Sequence, residues 1–262
     1  MTVKYVYGSC ERPEEADVVQ APSRRDRVRA ATIDEIKQTA RRLLVAEGPN
    51  AVSLRAIARE MGMTAPALYR YFGSREDLLR GVCGDIFTEL AEQIEGAIGS
   101  AATAGGGDLA YKIAGACRAF RGWALAHRPE FSLVFGTPLP GVDVEDDDLT
   151  EECARRFAAT FFGLFLELWQ KRPFPVPAPE EIDPGLRDQL ERYRDGLGTD
   201  LPLGALLTFL RGWVRLYGIV SLEVFGHLGF ALDDAEPMFE VTLAELAGLV
   251  NVEYRPPRGP RP

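Results

Sequence analysis

The chain has 262 residues, 46% of them hydrophobic, so apolar material is ample for one or two domains. Its net charge of −9 is unevenly spread: residues 22–80 carry 12 Lys/Arg against 7 Asp/Glu, whereas the remainder carries 18 against 32, a basic head on an acidic body that can still hold phosphates locally. A missing N-terminal apolar run, no stretch of 18 uncharged apolar residues, and four scattered cysteines (Cys10, Cys83, Cys117, Cys153) with only two histidines argue against a signal peptide, a transmembrane helix, a zinc site and a disulfide framework; a cytoplasmic protein with reduced thiols and no cofactor is expected.

Residues 1–22 mix Pro13, Pro22 and charge without periodicity and predict a disordered leader. Arg24, Arg25, Arg27 and Arg29 follow, either a solvated leader or an arm over the DNA backbone or in its minor groove. Thr32 and Glu35 have the spacing of a capping box, which predicts a helix start there. Ile36, Ala40, Leu43 and Leu44 then mark one helical face, ended by the turn chemistry of Glu47-Gly48-Pro49-Asn50.

Leu54, Ile57, Ala58 and Met61 form the next face, with Ser53 as its N-cap and Gly62 placed for a left-handed C-cap. Thr64 caps a further helix, expected over 65–71, with Pro66 in its first turn, where the missing N–H costs nothing. Leu68 and Phe72 are its core anchors, and the small Ala65-Pro66-Ala67 end can approach base edges closely. This is the order of a helix-turn-helix, whose second helix lies in the major groove of DNA. Tyr69 and Tyr71 offer hydroxyls suited to phosphate oxygens. Ser74 and Asp77 begin another helix, and Arg75 at that start can reach a phosphate. The competing reading of Tyr69 and Tyr71 is two partly buried aromatics.

From Thr32 to about Leu90 the chain resembles the DNA-binding region of TetR-type transcriptional regulators, in E-G-x-x-x-V-S, R-A-I-A-R-E-M-G-M, T-A-P-A-L-Y-R-Y-F and S-R-E-D-L-L. The resemblance implies an all-α homodimer with a small effector bound in its C-terminal part. It also implies phosphate contacts from Ser53, Tyr69, Tyr71 and Arg75, with Arg55, Ala65 and Pro66 near bases. Since Ala65 and Ala67 lack polar reach, base reading would lean on Arg55, Thr64 and contact with thymine methyls.

Beyond the head, residues 75–98 predict a long helix with Leu78, Leu79, Val82, Ile86, Leu90, Ile94 and Ile98 as its seam, a lever from head to body. Ala104–Gly107 is a flexible break. Helices are expected at 108–127 and 150–171, with a short aromatic segment at 129–135 between them. The acidic run 145–152 reads as a favourable helix start rather than a metal site. Five prolines between Arg172 and Pro184 predict a stiff surface loop.

Leu206, Leu210, Trp213, Tyr217, Val220 and Val224 form one seam of a penultimate helix, and Phe239, Leu243, Leu246 and Val250 one of the last. Two such helices from each subunit predict a four-helix dimer interface built on Leu206, Leu210, Val220, Val224, Phe239, Leu243 and Leu246. The run from Trp213 to Glu223 resembles a TetR subgroup with W-x-x-x-H-G, Tyr217 standing where that subgroup has His. Glu223, in an apolar run, reads as an exposed or interface carboxylate or as a polar anchor in a pocket. Phe120, Trp123, Phe161, Phe165, Trp213 and Tyr217 are pocket candidates, although core packing is the competing reading for each.

The expected architecture is therefore all-α: a leader at 1–22, a three-helix DNA-binding head at 23–80, a helical effector-binding and dimerisation body at 81–252, and a disordered tail at 253–262. The expected function is a ligand-responsive regulator, most simply a repressor released from a palindromic operator by an apolar or aromatic molecule. Its partners would be double-stranded operator DNA, a small effector and a second copy, with no membrane. An effector-independent DNA-binding or partner-binding protein is the alternative. An all-α enzyme is a remote third, because no nucleophile–base pair, metal cluster or phosphate loop is present.

Overall fold

The computed structural model describes residues 23–104, 107–136 and 148–257; the leader call, Cys10 and the start of the acidic run lie outside these residues. Within them the chain is all-α, as expected. Helices α1 (Arg24–Glu47), α2 (Leu54–Glu60) and α3 (Ala65–Leu68) make the head. Helix α4 (Arg75–Ala104) runs from head to body. The body adds α5 (Leu109–Ala126), α6 (Arg128–Phe135), α7 (Asp148–Lys171), α8 (Pro184–Leu197), α9 (Leu203–Val224) and α10 (Glu236–Leu249).

Helix α1 begins eight residues before the expected Thr32. Ser23 is its N-cap, in a reciprocal box with Asp26, and Thr32 lies inside the helix, donating to the Val28 carbonyl. Arginines are good helix formers and Pro22 precedes the cap, so nothing between Ser23 and Thr32 stops the helix. The four arginines thus lie on the first turns of α1. Arg29 reaches back, its guanidinium 5.1 Å over the Tyr71 ring and 3.3 Å from the Arg70 carbonyl.

Ile36, Ala40, Leu44, Leu54, Ile57 and Leu68 close a small core against the buried first turns of α4, Leu78, Leu79 and Val82. That core continues without a break along Ile86, Leu90 and Ile94 into the body. There α4 packs along α5 and α7. Phe120 on α5 sits in an aromatic cluster, with ring centroids 5.7–6.2 Å from Phe131, Phe135, Phe157, Phe161 and Trp213.

A second core holds the Pro-rich segment and α8 against α9 through Phe174, Ile182, Leu190, Leu203 and Leu206. Most of the segment is exposed, as its prolines predict for a surface loop, but Phe174 and Ile182 are buried and anchor it to this core. Gly204 is required where it crosses α9, because a Cβ there would lie 2.2 Å from the Pro177 carbonyl oxygen. Residues 253–257, expected to be disordered tail, follow α10 without regular secondary structure, with Tyr254 and Arg255 held by contacts described below.

Candidate functional site: a DNA-facing head and a body cavity

In the head, Ser53 Oγ accepts from the Ala56 amide and Thr64 Oγ1 from the Ala67 amide, so each side chain starts its helix. Gly62 takes φ +66°, the left-handed geometry that the turn needs. Pro66, Tyr69 and Arg70 are exposed at α3 and the turn after it, and Arg55 and Arg59 are exposed on α2. Helix α3 is shorter than expected: a turn replaces it from Tyr69, which leaves Tyr69 half exposed. Tyr71 is partly buried under Arg29.

Arg75 gives Nε to the Val52 carbonyl and Nη2 to the Pro49 carbonyl, both at 2.7 Å, and so staples the turn before α2 to the start of α4. Arg59 and Arg70 were not singled out from the sequence. Their exposure and lack of an ion pair among the described residues appear only once α2 and α3 are folded together.

Head and body meet at a polar joint. Arg41 on α1 donates to Glu89 on α4 at 2.5 and 3.3 Å and to Glu130 on α6 at 3.0 Å. Glu89 also accepts from Trp123 Nε1 at 3.0 Å. The Arg41 hydrogen bond comes first among the causes that hold the Glu89 carboxyl below its ordinary range, against an opposing effect of burial. Lys37 adds a 2.7 Å pair with Asp85.

The body holds a cavity of about 120 Å³ bounded by α5, α7, α9, α10 and residues 252–255. Phe161, Phe165 and Trp213 line it; Phe120, Trp123 and Tyr217 do not. Phe120 lies behind the wall, against Phe161 and Trp213. Tyr217 stacks on Trp213 at 5.9 Å and donates to the Phe135 carbonyl at 2.5 Å. Cys117, Leu164, Leu216 and Phe209 also line the cavity and were not among the pocket candidates read from the sequence. Burial pushes the Cys117 thiol up to about 12, so it stays neutral. Among the described residues no three His, Cys, Asp or Glu side chains converge to hold a metal.

The expected interface residues point elsewhere. Leu206, Val220, Val224, Phe239 and Leu243 are buried inside the single chain, Leu210 packs against the second core, and Leu243 and Leu246 line the cavity. The apolar side chains left exposed on α9 and α10 are Val214, Leu222, Met238 and Val241, with Phe225 just beyond α9. Glu223 does not line the cavity, and Arg121 holds it with two bonds of 2.6 and 2.7 Å.

Comparison with known proteins matches residues 36–82 to the family described as bacterial regulatory proteins, tetR family, and residues 113–246 to the tetracyclin repressor-like C-terminal domain. The HTH-type transcriptional regulator Rv1816 of Mycobacterium tuberculosis is 31% identical over 198 residues, 74% of this chain and 81% of that protein. Among solved structures, SCO4313 is 32% identical with a TM-score of 0.67, covering 86% of this chain and 100% of that one. A protein of unknown function from Rhodococcus sp. RHA1 is 20% identical with a TM-score of 0.58, over 90% and 98% of the two chains, and shares the fold.

Proposed function

The chain belongs to the TetR family of bacterial regulatory proteins, and from that premise we propose a cytoplasmic, ligand-responsive repressor released from a palindromic operator by a small apolar or aromatic effector. The observation that carries the ligand-responsive part is the cavity, whose wall residue Trp213 packs on the aromatic cluster that continues to the head. A DNA-binding protein without an effector has no need of such a space in its body.

In this reading Tyr69, Tyr71, Ser53 and the remaining donor of Arg75 meet phosphates, with Arg70 added by its exposure. Arg55, Thr64, Ala65 and Pro66 face base edges. Two copies pair across a two-fold axis through the exposed stripe of Val214, Leu222, Phe225, Met238 and Val241, which water would otherwise cover. The paired heads then address half-sites roughly 34 Å apart, or a multiple of that. In the Trp213–Glu223 run, the Tyr217 hydroxyl takes a structural place where the resembling subgroup has an imidazole.

The test uses labelled DNA from upstream of the protein's own gene. Anisotropy should report dimer binding at nanomolar to micromolar concentration, and a ligand that perturbs Trp213 fluorescence should release that DNA over the same concentration range. Ligands that fill the body and leave DNA affinity unchanged would defeat the switch and leave the DNA-binding role standing.

A further inference from the structure

We infer that the cavity takes an amphiphile: a slim apolar body inside, and a carboxylate head at the outer end against Arg255. This rests on the reading of the cavity as the effector site and adds the chemistry of the effector.

The walls change character along the cavity. Deep inside, Ile113, Phe161, Phe165, Leu216 and Leu243 bring no hydrogen-bonding group, and the hydroxyl of Thr208 already donates to the Gly204 carbonyl at 2.8 Å. A space of that kind favours hydrocarbon over water. At the outer end a second hollow of about 330 Å³ adjoins it, with Ala110, Leu168, Val252, Glu253 and Arg255 common to both. Lys171, Arg172 and Asp108 belong to this outer hollow alone. Polar and cationic groups are therefore gathered at one end.

Arg255 borders both spaces with a donor to spare. Its Nη1 meets Glu253 at 2.9 Å, its Nη2 meets Asp108 at 3.5 Å, and its guanidinium lies 5.6 Å over the Tyr111 ring. Its Nε is buried without a hydrogen-bond partner. A buried N–H with no acceptor is a standing cost, and an ionised oxygen is its strongest complement. The nearby carboxylates leave room for one. Asp108 Oδ1 accepts from the Ala110 amide as the cap of α5, and Glu253 is 74% exposed. Lys171 is paired with Glu167 at 2.7 Å, while Arg172 has no ion pair among the described residues.

The donor is also held in place. Arg118 grips Glu240 at 2.7 and 2.8 Å and donates to the Arg255 carbonyl at 2.7 Å, and Tyr254 Oη donates to Glu240 at 2.5 Å. This clasp fixes residues 254–255 at the cavity mouth, so little ordering is left for the ligand to impose. An ammonium head would face Arg255, Lys171 and Arg172 together, and a wholly apolar ligand would leave the Nε–H unpaired.

The experiment titrates the full-length protein with octanoate, 1-octanol and octylammonium at neutral pH and constant ionic strength, following tryptophan fluorescence. Octanoate should bind about tenfold more tightly than 1-octanol, the worth of one hydrogen bond to a charged group, with octylammonium weakest. In Arg255→Met the octanoate-to-octanol ratio should fall to about one, and Arg255→Lys should restore part of it. If 1-octanol or octylammonium matches octanoate in the native protein, or if Arg255→Met keeps the preference, the inference is wrong. The native comparison decides alone should the variant fail to fold. Binding of 1-octanol without a carboxylate preference sinks only the head group, whereas no binding of any of the three removes the effector-cavity reading as well.

Discussion

Arg41→Met tests the joint between head and body. The Glu130 side chain is 5% exposed and, among the described residues, Arg41 is its ion-pair partner; Glu89, the other acceptor, is 39% exposed. Methionine keeps most of the apolar stem and removes the charge. The exposed Glu89 pair is worth no more than about 1 kcal/mol. Stranding Glu130 as a buried, unpaired carboxylate costs more, about 3–5 kcal/mol where burial is complete. Since Arg41 is 26% exposed and water can follow the vacated side chain, about 3 kcal/mol is the expected total. For a chain of this size that lowers Tm by roughly 6–12 °C. Thermal and urea melts at fixed protein concentration measure it, beside Glu130→Gln and the double variant. The double variant should recover much of the loss, because the stranded charge is gone, with a coupling of at least about 1 kcal/mol in the cycle. A drop under about 2 °C, or a double variant no better than Arg41→Met, would refute the claim that Arg41 neutralises a buried charge. Acidification should act in the same direction. Glu89 is held below its ordinary 4.5, so its share of stability is present above that pH and is lost as pH falls below it.

Three further outcomes are expected. Tyr69→Ala should weaken operator and random DNA alike and leave the salt slope unchanged, because a neutral hydroxyl releases no counterion, while Arg55→Ala should change sequence preference by about 1–3 kcal/mol; intact binding in Tyr69→Ala would displace the recognition element. Val214→Asp, at a side chain 67% exposed, should give a folded monomer by light scattering, whereas Leu206→Ala should cost about 2–5 kcal/mol of stability through a core cavity; a dimeric Val214→Asp would move the interface elsewhere. Cys83 and Cys117, both pushed up to about 12, should resist thiol reagents until the chain unfolds, with stability falling as pH rises from the ordinary 9.0 towards 12; rapid labelling of either in the folded protein would contradict their burial.

The head was legible because its signals are local. Ser53, Gly62, Thr64 and Pro66 each dictate the conformation of their own residue, and each is used as its chemistry suggests. The start of α1 was misread because two capping boxes compete, Ser23–Asp26 and Thr32–Glu35, and only the absence of a breaker between them decides. Helix α8 has its own signature in the Asp183 cap, Leu186, Leu190, Tyr193 and Leu197 on one face, and Gly198 in the left-handed region, although it follows directly on a proline-rich stretch. The site residues of the body were harder for a physical reason. Helix α9 is apolar on both faces, so periodicity finds two stripes without saying which one the chain itself covers. Leu206, Val220 and Val224 turn inward, and Val214 and Leu222 turn out. Phe120 and Phe161 are alike in sequence, and only the course of α10 and residues 252–255 leaves a space beside Phe161 and none beside Phe120.

The placement of the cavity bears on how a signal would reach DNA. Its walls come from α5, α7, α9 and α10, while α4 is absent from them; α4 instead packs against α5 and α7. A ligand that spreads α5 from α7 therefore acts on the groove in which α4 lies. The interior around Phe120 is close-packed aromatic material, which shifts as a unit rather than yielding locally. The first turns of α4 are buried in the head core, and its inner face stays buried in the body as far as Ile94, so head and body share one helix. Helix α6 supplies a second constraint, tied to α9 through Tyr217 and the Phe135 carbonyl and to α1 through Glu130 and Arg41. A displacement of α4 alone would have to lengthen the Arg41–Glu130 contact, whereas a joint movement of α4 and α6 preserves it. Under the proposed switch, the head would then move together with α4 and α6. Under that proposal a change of helix spacing at the cavity would be passed along α4 to the head, and the separation of the two heads of a dimer would decide whether two major grooves can be met together.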